Sequence, residues 1–208
     1  MIALIDYGVG NLYSVEKALT AVGGKVSVTN DAKVLEQAEK LVLPGVGAFG
    51  DCMKNLEATG LIPTILEQAA TGKPLLGICV GLQILFEESE ESPGARGLGI
   101  FKGVVKKIRA ENLKLPHIGW NSIEVGRKNS SIKFPAPKLF NGFTDKNFFY
   151  FVHSYHAAPS NENLITATTE YGESVTAAVE LGNIFATQFH PEKSGDVGLQ
   201  VLKNFVEL

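Results

Sequence analysis

Four short apolar runs in the first eighty residues alternate with stretches of helical periodicity, and this alternation restricts the fold more than any other feature. "IALID", "KVSVTN", "KLVLPG" and "PLLGI" read as buried strands. Between the first two, "NLYSVEKALTAVGG" carries Leu12, Val15 and Leu19 at helical spacing and ends on glycine. "DAKVLEQAEK" reads as a second helix with Asp31 as its N-cap, and "LIPTILEQAATGK" as a third. Buried strands separated by helices predict a parallel sheet covered on both faces.

From about residue 100 the pattern changes to strands and turns: "FKGVVKKI", "IGWNSIEVG", "NFFYFVHSY", "LITATTEY", "SVTAAVEL" and "NIFATQFHP". "YGES" and "LGN" between the later runs read as hairpin turns, and "GLQVLKNFVEL" as a closing helix. The acidic run "EESEES" reads as a solvated helix end.

A length of 208 residues suits one domain with a substantial core, or at most two small ones. A net charge of −3 with no basic run argues against a nucleic-acid-binding surface. Two cysteines, Cys52 and Cys79, are too few for a disulfide framework and point to a reducing compartment. "MIALIDYG" lacks the shape of a signal peptide and no stretch nears the ~20 apolar residues of a membrane span, so a cytoplasmic location is expected.

Three chemistries compete for the remaining motifs. "GVGAFG", residues 45 to 50, matches a dinucleotide-binding fingerprint literally, but that fingerprint wants an acidic residue about 20 positions on, at a strand end. Glu67 falls inside a helical stretch instead, and the motif does not stand. A metal site from His117, His153, His156, His190 and Glu192 lacks ligand spacing; His153 and His156, three apart in a strand, point to opposite faces. Neither a metal nor a cofactor is expected.

The third chemistry makes Cys79 a nucleophile. "GICVG" has the glycine-x-nucleophile-x-glycine form of a sharp strand-to-helix elbow. The elbow strains the nucleophile's backbone and brings its neighbours close, which is why glycine flanks it. A helix N-terminus there favours the thiolate. "QFHPEK" supplies a base: on a strand, His190 and Glu192 face the same way, so Glu192 can orient the imidazole toward Cys79. N–H groups around Val46 and Gly47 in "LPGVG", with that of Val80, suit an oxyanion hole, and Gly45 and Gly47 would let the peptide between them turn at φ > 0.

The set "PGVGAFG", "GICVGLQ" and "QFHPEKS" resembles the class I glutamine amidotransferases, which use a Cys-His-Glu triad. "DYGVGNL", "HIGWN" and "YFVHSYH" narrow the resemblance to the glutaminase subunits of imidazole glycerol phosphate synthases. It implies one glutaminase domain over residues 1–208 and an α/β fold: a mixed, largely parallel central sheet flanked by helices, with an antiparallel, strand-rich C-terminal half. Cys79 would be nucleophile, His190 general base and acid, and Glu192 orienter. Gly47, Gln83 and the backbone around Ser154 and Tyr155 would hold L-glutamine. The implied partner is a cyclase subunit built as a (β/α)₈ barrel, contacted through Asn11, Trp120, Asn121, Tyr150 and Lys193. The resemblance also implies that ammonia passes to that partner in histidine biosynthesis. Two other readings stay open. One is the glutaminase of a different synthase, such as that for pyridoxal phosphate, told apart by the barrel that co-purifies. The other is a binding module with a decayed triad, which the intact Cys79, His190 and Glu192 oppose.

Overall fold

The computed structural model describes residues 1–126, 136–143 and 147–208. Its first half follows the alternation: β1 (Ile2–Ile5), α1 (Leu12–Ala21), β2 (Val26–Thr29), α2 (Ala32–Gln37), β3 (Lys40–Gly45), α3 (Phe49–Thr59), α4 (Ile62–Ala70), β4 (Leu75–Cys79) and α5 (Val80–Gln83). Asn11 caps α1, its side chain accepting from the Ser14 N–H, and Asp31 caps α2 through the Lys33 N–H. The second half adds β5 (Glu88–Ser89), β6 (Gly103–Lys107), β7 (His117–Val125), β8 (Asn147–His153), β9 (Tyr155–Pro159), β10 (Ile165–Glu170), β11 (Ser174–Leu181), β12 (Ile184–Thr187) and α6 (Gly195–Val206).

Among the described residues nine strands form one sheet, in the order β2-β1-β3-β4-β12-β11-β10-β7-β8. Pairings from β2 to β12 are parallel, and those from β12 to β8 antiparallel. The parallel part is thus no larger than the antiparallel part. β12 joins them: it leaves a tight hairpin from β11 at Gly182 and inserts beside β4, parallel to it. β1 and β4 are buried at every position, as strands covered on both faces must be, and their apolar runs lack alternation for that reason. α1 packs with α6, while α4 packs with α2 and α3. A three-stranded sheet, β5-β6-β9, stands beside the main one.

Two sequence expectations change. Leu82, Leu85 and Phe86 are fully buried, but the helix carrying them lasts only four residues, Val80–Gln83. The chain then leaves helical geometry to reach β5, so "EESEES" is no solvated helix end: Glu88–Ser89 pairs with β6, and Ser89 is buried. α3 has no side-chain cap of its own and is capped from that same segment. Glu91 Oε2 accepts from the Phe49 N–H at 2.8 Å, and Ser92 Oγ from the Gly50 N–H at 3.0 Å.

Candidate active site at the strand-to-helix elbow

Cys79 ends β4 with φ 57° and ψ −114°, the only non-glycine residue at positive φ among those described. Close packing around this turn dictates its glycines. A Cβ on Gly77 would lie 2.7 Å from the Gly81 carbonyl oxygen, and one on Gly81 would lie 2.0 Å from the Leu43 carbonyl oxygen. Gly45 pairs directly with Cys79 across β3 and β4, and a Cβ there would approach the Gly81 nitrogen to 2.6 Å. Backbone strain at the nucleophile is therefore held in place by three backbone contacts that admit no side chain.

His190 reaches this turn from the chain just after β12. Its Nδ1 lies 2.8 Å from Glu192 Oε1, with both side chains nearly inaccessible to solvent. The expected geometry of this pair is corrected: Pro191–Lys193 is a 3₁₀ turn, not a strand, and the turn rather than strand alternation folds Glu192 back onto the imidazole. Backbone contacts fix the pair. The His190 N–H donates to the Tyr150 carbonyl, Ser194 Oγ donates to the His190 carbonyl, and the Tyr150 N–H donates to Ser194 Oγ. Burial alone would depress the His190 pKa, but the interactions with Cys79 and Glu192 outweigh it and raise it to about 10. The Nε2 of His190 is buried without a hydrogen-bond partner among the described residues.

A cavity of about 150 Å³ opens between these groups. Val46, Gly47, Cys79, Val80, Gln83, Ser154, Tyr155 and His190 all line it, so the elbow, the glycine loop and the 154–155 segment meet around one space. Gln83 Nε2 donates to the Tyr155 carbonyl at 3.0 Å and to Gln188 Oε1 at 3.1 Å, tying the elbow helix to the opposite wall. Of the two glycines expected to be free at positive φ, Gly45 departs from that expectation. Gly47 has φ +90°, whereas Gly45 is not at positive φ and is glycine for the close approach already described. The peptide with room to turn is therefore the one between Val46 and Gly47. Its carbonyl accepts from the Cys52 thiol at 3.3 Å, and a trans peptide points the Gly47 N–H the other way, away from Cys52.

Glu91, Val152 and His153 complete the wall; sequence reasoning gave none of the three a part in binding glutamine and weighed His153 only as a metal ligand. Glu91 hid in an acidic run whose pattern favoured solvent; only its trans-capping of α3 brings it inward. Gln188 was also missed. It is fully buried and its Nε2 lies 3.9 Å from Cys79 Sγ, two residues before His190, a spacing that could have flagged it.

Trp120, Tyr150 and Lys193 gather outside the cavity. Trp120 is 55% exposed and meets the Tyr150 ring edge-on at 6.3 Å, and the Lys193 ammonium stands 5.8 Å over the same ring. Asn11 heads α1, which packs on the turn of Pro191–Lys193. Asn121 behaves differently: its side chain turns inward, to His117 and the Glu170 carbonyl. Among the described residues no helix is long and apolar enough to cross a membrane, and no cluster of three metal-ligating side chains occurs.

A buried His–Glu pair facing a strained cysteine at a strand-to-helix turn, on this mixed sheet, defines a class I glutamine amidotransferase. The model of that family, glutamine amidotransferase class-I, matches residues 3–208. The imidazole glycerol phosphate synthase subunit HisH of Methanothermobacter thermautotrophicus is 51% identical over 208 residues, covering 100% of this chain and 98% of that protein. The subunit of the same name from Acinetobacter baylyi is 50% identical, covering 99% and 97%. Among solved structures, one titled as a glutamine amidotransferase superposes with a TM-score of 0.75 at 18% identity, covering all of both chains. The structure of PurLQS from Thermotoga maritima gives 0.75 at 22%, covering 99% and 97%; these two likenesses speak to the fold. The chain belongs to the imidazole glycerol phosphate synthase subunit HisH family.

Proposed function

We propose that this chain is the glutaminase subunit of an imidazole glycerol phosphate synthase, acting in the cytoplasm as one domain over residues 1–208. It hydrolyses L-glutamine and hands the ammonia to a cyclase subunit, a (β/α)₈ barrel. That partner uses the ammonia on a phosphoribulosyl-formimino aminoimidazole carboxamide ribonucleotide. The products are imidazole glycerol phosphate and an aminoimidazole carboxamide ribonucleotide, in histidine biosynthesis. The observation that carries the catalytic reading is the His190–Glu192 pair at 2.8 Å, with the free Nε2 on the cavity that holds Cys79.

In this reading Cys79 and His190 form a thiolate–imidazolium pair, which the raised His190 pKa supports. The sulfur attacks the side-chain amide carbon of glutamine, and the electrons of the C=O move onto oxygen. N–H groups of Gly47 and Val80, with that of Val46 alongside, stabilise this oxyanion. When the oxyanion collapses the C–N bond breaks, and His190 gives its proton to the departing nitrogen, releasing ammonia. His190, now neutral, takes a proton from water as the water oxygen attacks the thioester. The thiolate leaves, glutamate forms, and the imidazolium is restored. Glu192 holds Nδ1–H throughout. The Glu91 carboxylate suits the substrate's α-ammonium, and Gln83 with the backbone of Ser154 and Tyr155 fixes the rest of the molecule.

Cys79→Ala is expected to abolish glutamine-dependent synthesis by the assembled complex while leaving ammonia-dependent synthesis intact. Glutamine-dependent turnover surviving in the purified variant complex would overturn the assignment. His190→Ala is expected to be the more damaging change at the pair, since it removes the proton carrier, and Glu192→Gln the milder one.

A further inference from the structure

His117 and His153 are both buried, His153 lines the cavity, and neither has a part in the chemistry above. Their hydrogen bonds admit only one arrangement of protons. His153 Nδ1 lies 2.8 Å from the Tyr155 carbonyl, which can only accept, so Nδ1 carries the hydrogen. His153 Nε2 lies 3.1 Å from His117 Nδ1, and His117 Nε2 lies 3.3 Å from Asn121 Nδ2. The orientation of the Asn121 amide is fixed twice: its Oδ1 accepts from the Ser122 N–H, and its Nδ2 donates to the Glu170 carbonyl. Nδ2 therefore presents a donor to His117, whose Nε2 must be bare, whose Nδ1 must be protonated, and which must donate to a bare Nε2 on His153. A proton added to either ring would set donor against donor.

We infer that Asn121 and His117 are positioning residues for glutamine binding, acting through His153. The one-way chain of donors, Asn121 to His117 to His153 to the Tyr155 carbonyl, holds the 153–155 backbone against the cavity with both imidazoles as neutral Nδ1–H tautomers. This rests on the glutaminase reading for its substrate, but not for its geometry. Three features make the chain a strut rather than a chance contact. The His117 ring is stacked between Tyr171 at 4.0 Å and Phe151 at 4.8 Å between centroids, so it has no freedom to rotate. The carbonyl it reaches is the one that also accepts from Gln83 Nε2, so both sides of the cavity converge on Tyr155. Burial pulls the pKa of His117 down to about 4 and that of His153 down to about 3, in keeping with two neutral rings. The arrangement has a chemical consequence as well. With its Nε2 lone pair occupied by His117, His153 cannot compete for the Cys79 proton, which leaves His190 as the one imidazole in the cavity free to carry it.

Two measurements test this. Long-range ¹H–¹⁵N correlation spectra of the imidazoles in the intact protein report tautomers directly, and both rings are expected as Nδ1–H. A His153 ring found as Nε2–H, or protonated at pH 7, would overturn the chain whatever the protein catalyses. Kinetics of the assembled complex then test its purpose. His117→Phe keeps the stacked ring and removes both nitrogens; it is expected to raise KM for glutamine roughly tenfold with a smaller effect on kcat. His117→Asn places an amide N–H where Nδ1 stood and is expected to recover most of the loss. Equal KM in the wild type and both variants would refute positioning. If His117→Phe fails to fold, Asn121→Leu, which strips the donor at the other end of the chain, serves the same comparison. A wild-type complex with the expected tautomers but no glutaminase activity would instead refute the functional reading and leave the chain standing.

Discussion

Gly81 sits directly against Leu43, so that a Cβ on Gly81 would come within 2.0 Å of the Leu43 carbonyl oxygen. Neither group can yield, because Leu43 belongs to the buried strand β3 and Gly81 to the elbow helix. Gly81→Ala is expected to destabilise the chain by more than about 3 kcal/mol, beyond the usual overpacking range, and to abolish glutamine hydrolysis. Gly72→Ala is the control: its φ is +92° but nothing lies near, so backbone strain alone is expected to cost about 1–2 kcal/mol. Urea unfolding of both variants checks this; equal losses would show that the elbow tolerates the added atom.

The buried neutral histidines give stability a pH dependence. Unfolded, His117 and His153 bind protons near pH 6.5; folded, burial delays protonation to about 4 and about 3. Between those limits the unfolded chain holds more protons, so stability is full above pH 6.5 and is lost as the pH falls toward 4. One such group contributes a slope of up to about 1.4 kcal/mol per pH unit. His117→Phe is expected to flatten the decline measured by urea unfolding at pH 7, 6 and 5. A slope identical to that of wild type would show that the His117 ring titrates alike in both states.

The outer aromatic cluster makes a prediction of a different kind. Trp120 is exposed, alternates with inward-facing neighbours on β7, and rests edge-on against Tyr150. Its ring covers little of the chain's own core, so Trp120→Ala is expected to alter the stability of the free chain by no more than about 0.5 kcal/mol. Binding of the cyclase partner is expected to weaken about 30-fold or more, the loss expected of an aromatic anchor. Calorimetric titration of the two subunits measures this, and an unchanged Kd would put the interface elsewhere.

Local signals made the elbow readable. Gly77 and Gly81 of "GICVG" and Gly45 of "LPGVG" are glycines because backbones touch there, whereas Gly47 is one for its positive φ; both demands leave the same mark in any sequence that makes them. The parallel half was readable because strands covered on both faces lose their alternation. Contacts set by register or by distant capping left no mark. His117 and His153 sit opposite each other because β7 and β8 pair at exactly that step, which no pattern in either strand reveals. Glu91 enters the cavity because α3 needs a cap that its own sequence, with Ala48 at the cap position, does not supply. Asn121 was grouped with its neighbour Trp120 as a partner contact, and strand alternation turns the two side chains to opposite faces.

The last prediction concerns the glycine loop. Val46 is 39% exposed, and the Val46–Gly47 peptide is anchored in its present orientation by one weak donor, the Cys52 thiol. Burial raises the Cys52 pKa to about 11, so at neutral pH the thiol keeps the hydrogen it donates. Gly47, at φ +90° with open space around it, lets the peptide turn at little steric cost. If it turns, a carbonyl replaces an N–H at the oxyanion, and losing one such donor costs ~10²–10³ in kcat. The loop before α1 lies against this strand: a Cβ on Gly10 would be 3.2 Å from Pro44 Cβ. A partner seated at Asn11 and Trp120 therefore presses close to the loop. One weak anchor leaves the turned peptide accessible in the free chain, which is therefore expected to be a poor glutaminase. A partner that holds the loop is expected to make the complex a better one, and the complex with its cyclase ligand the best. Cys52→Ala, which releases the carbonyl, is expected to lower kcat of the complex several-fold without changing its affinity for the partner. Glutaminase assays on these four samples decide the matter: equal rates for the free chain and both complexes would remove the switch, and an unaltered Cys52→Ala would remove the thiol from it.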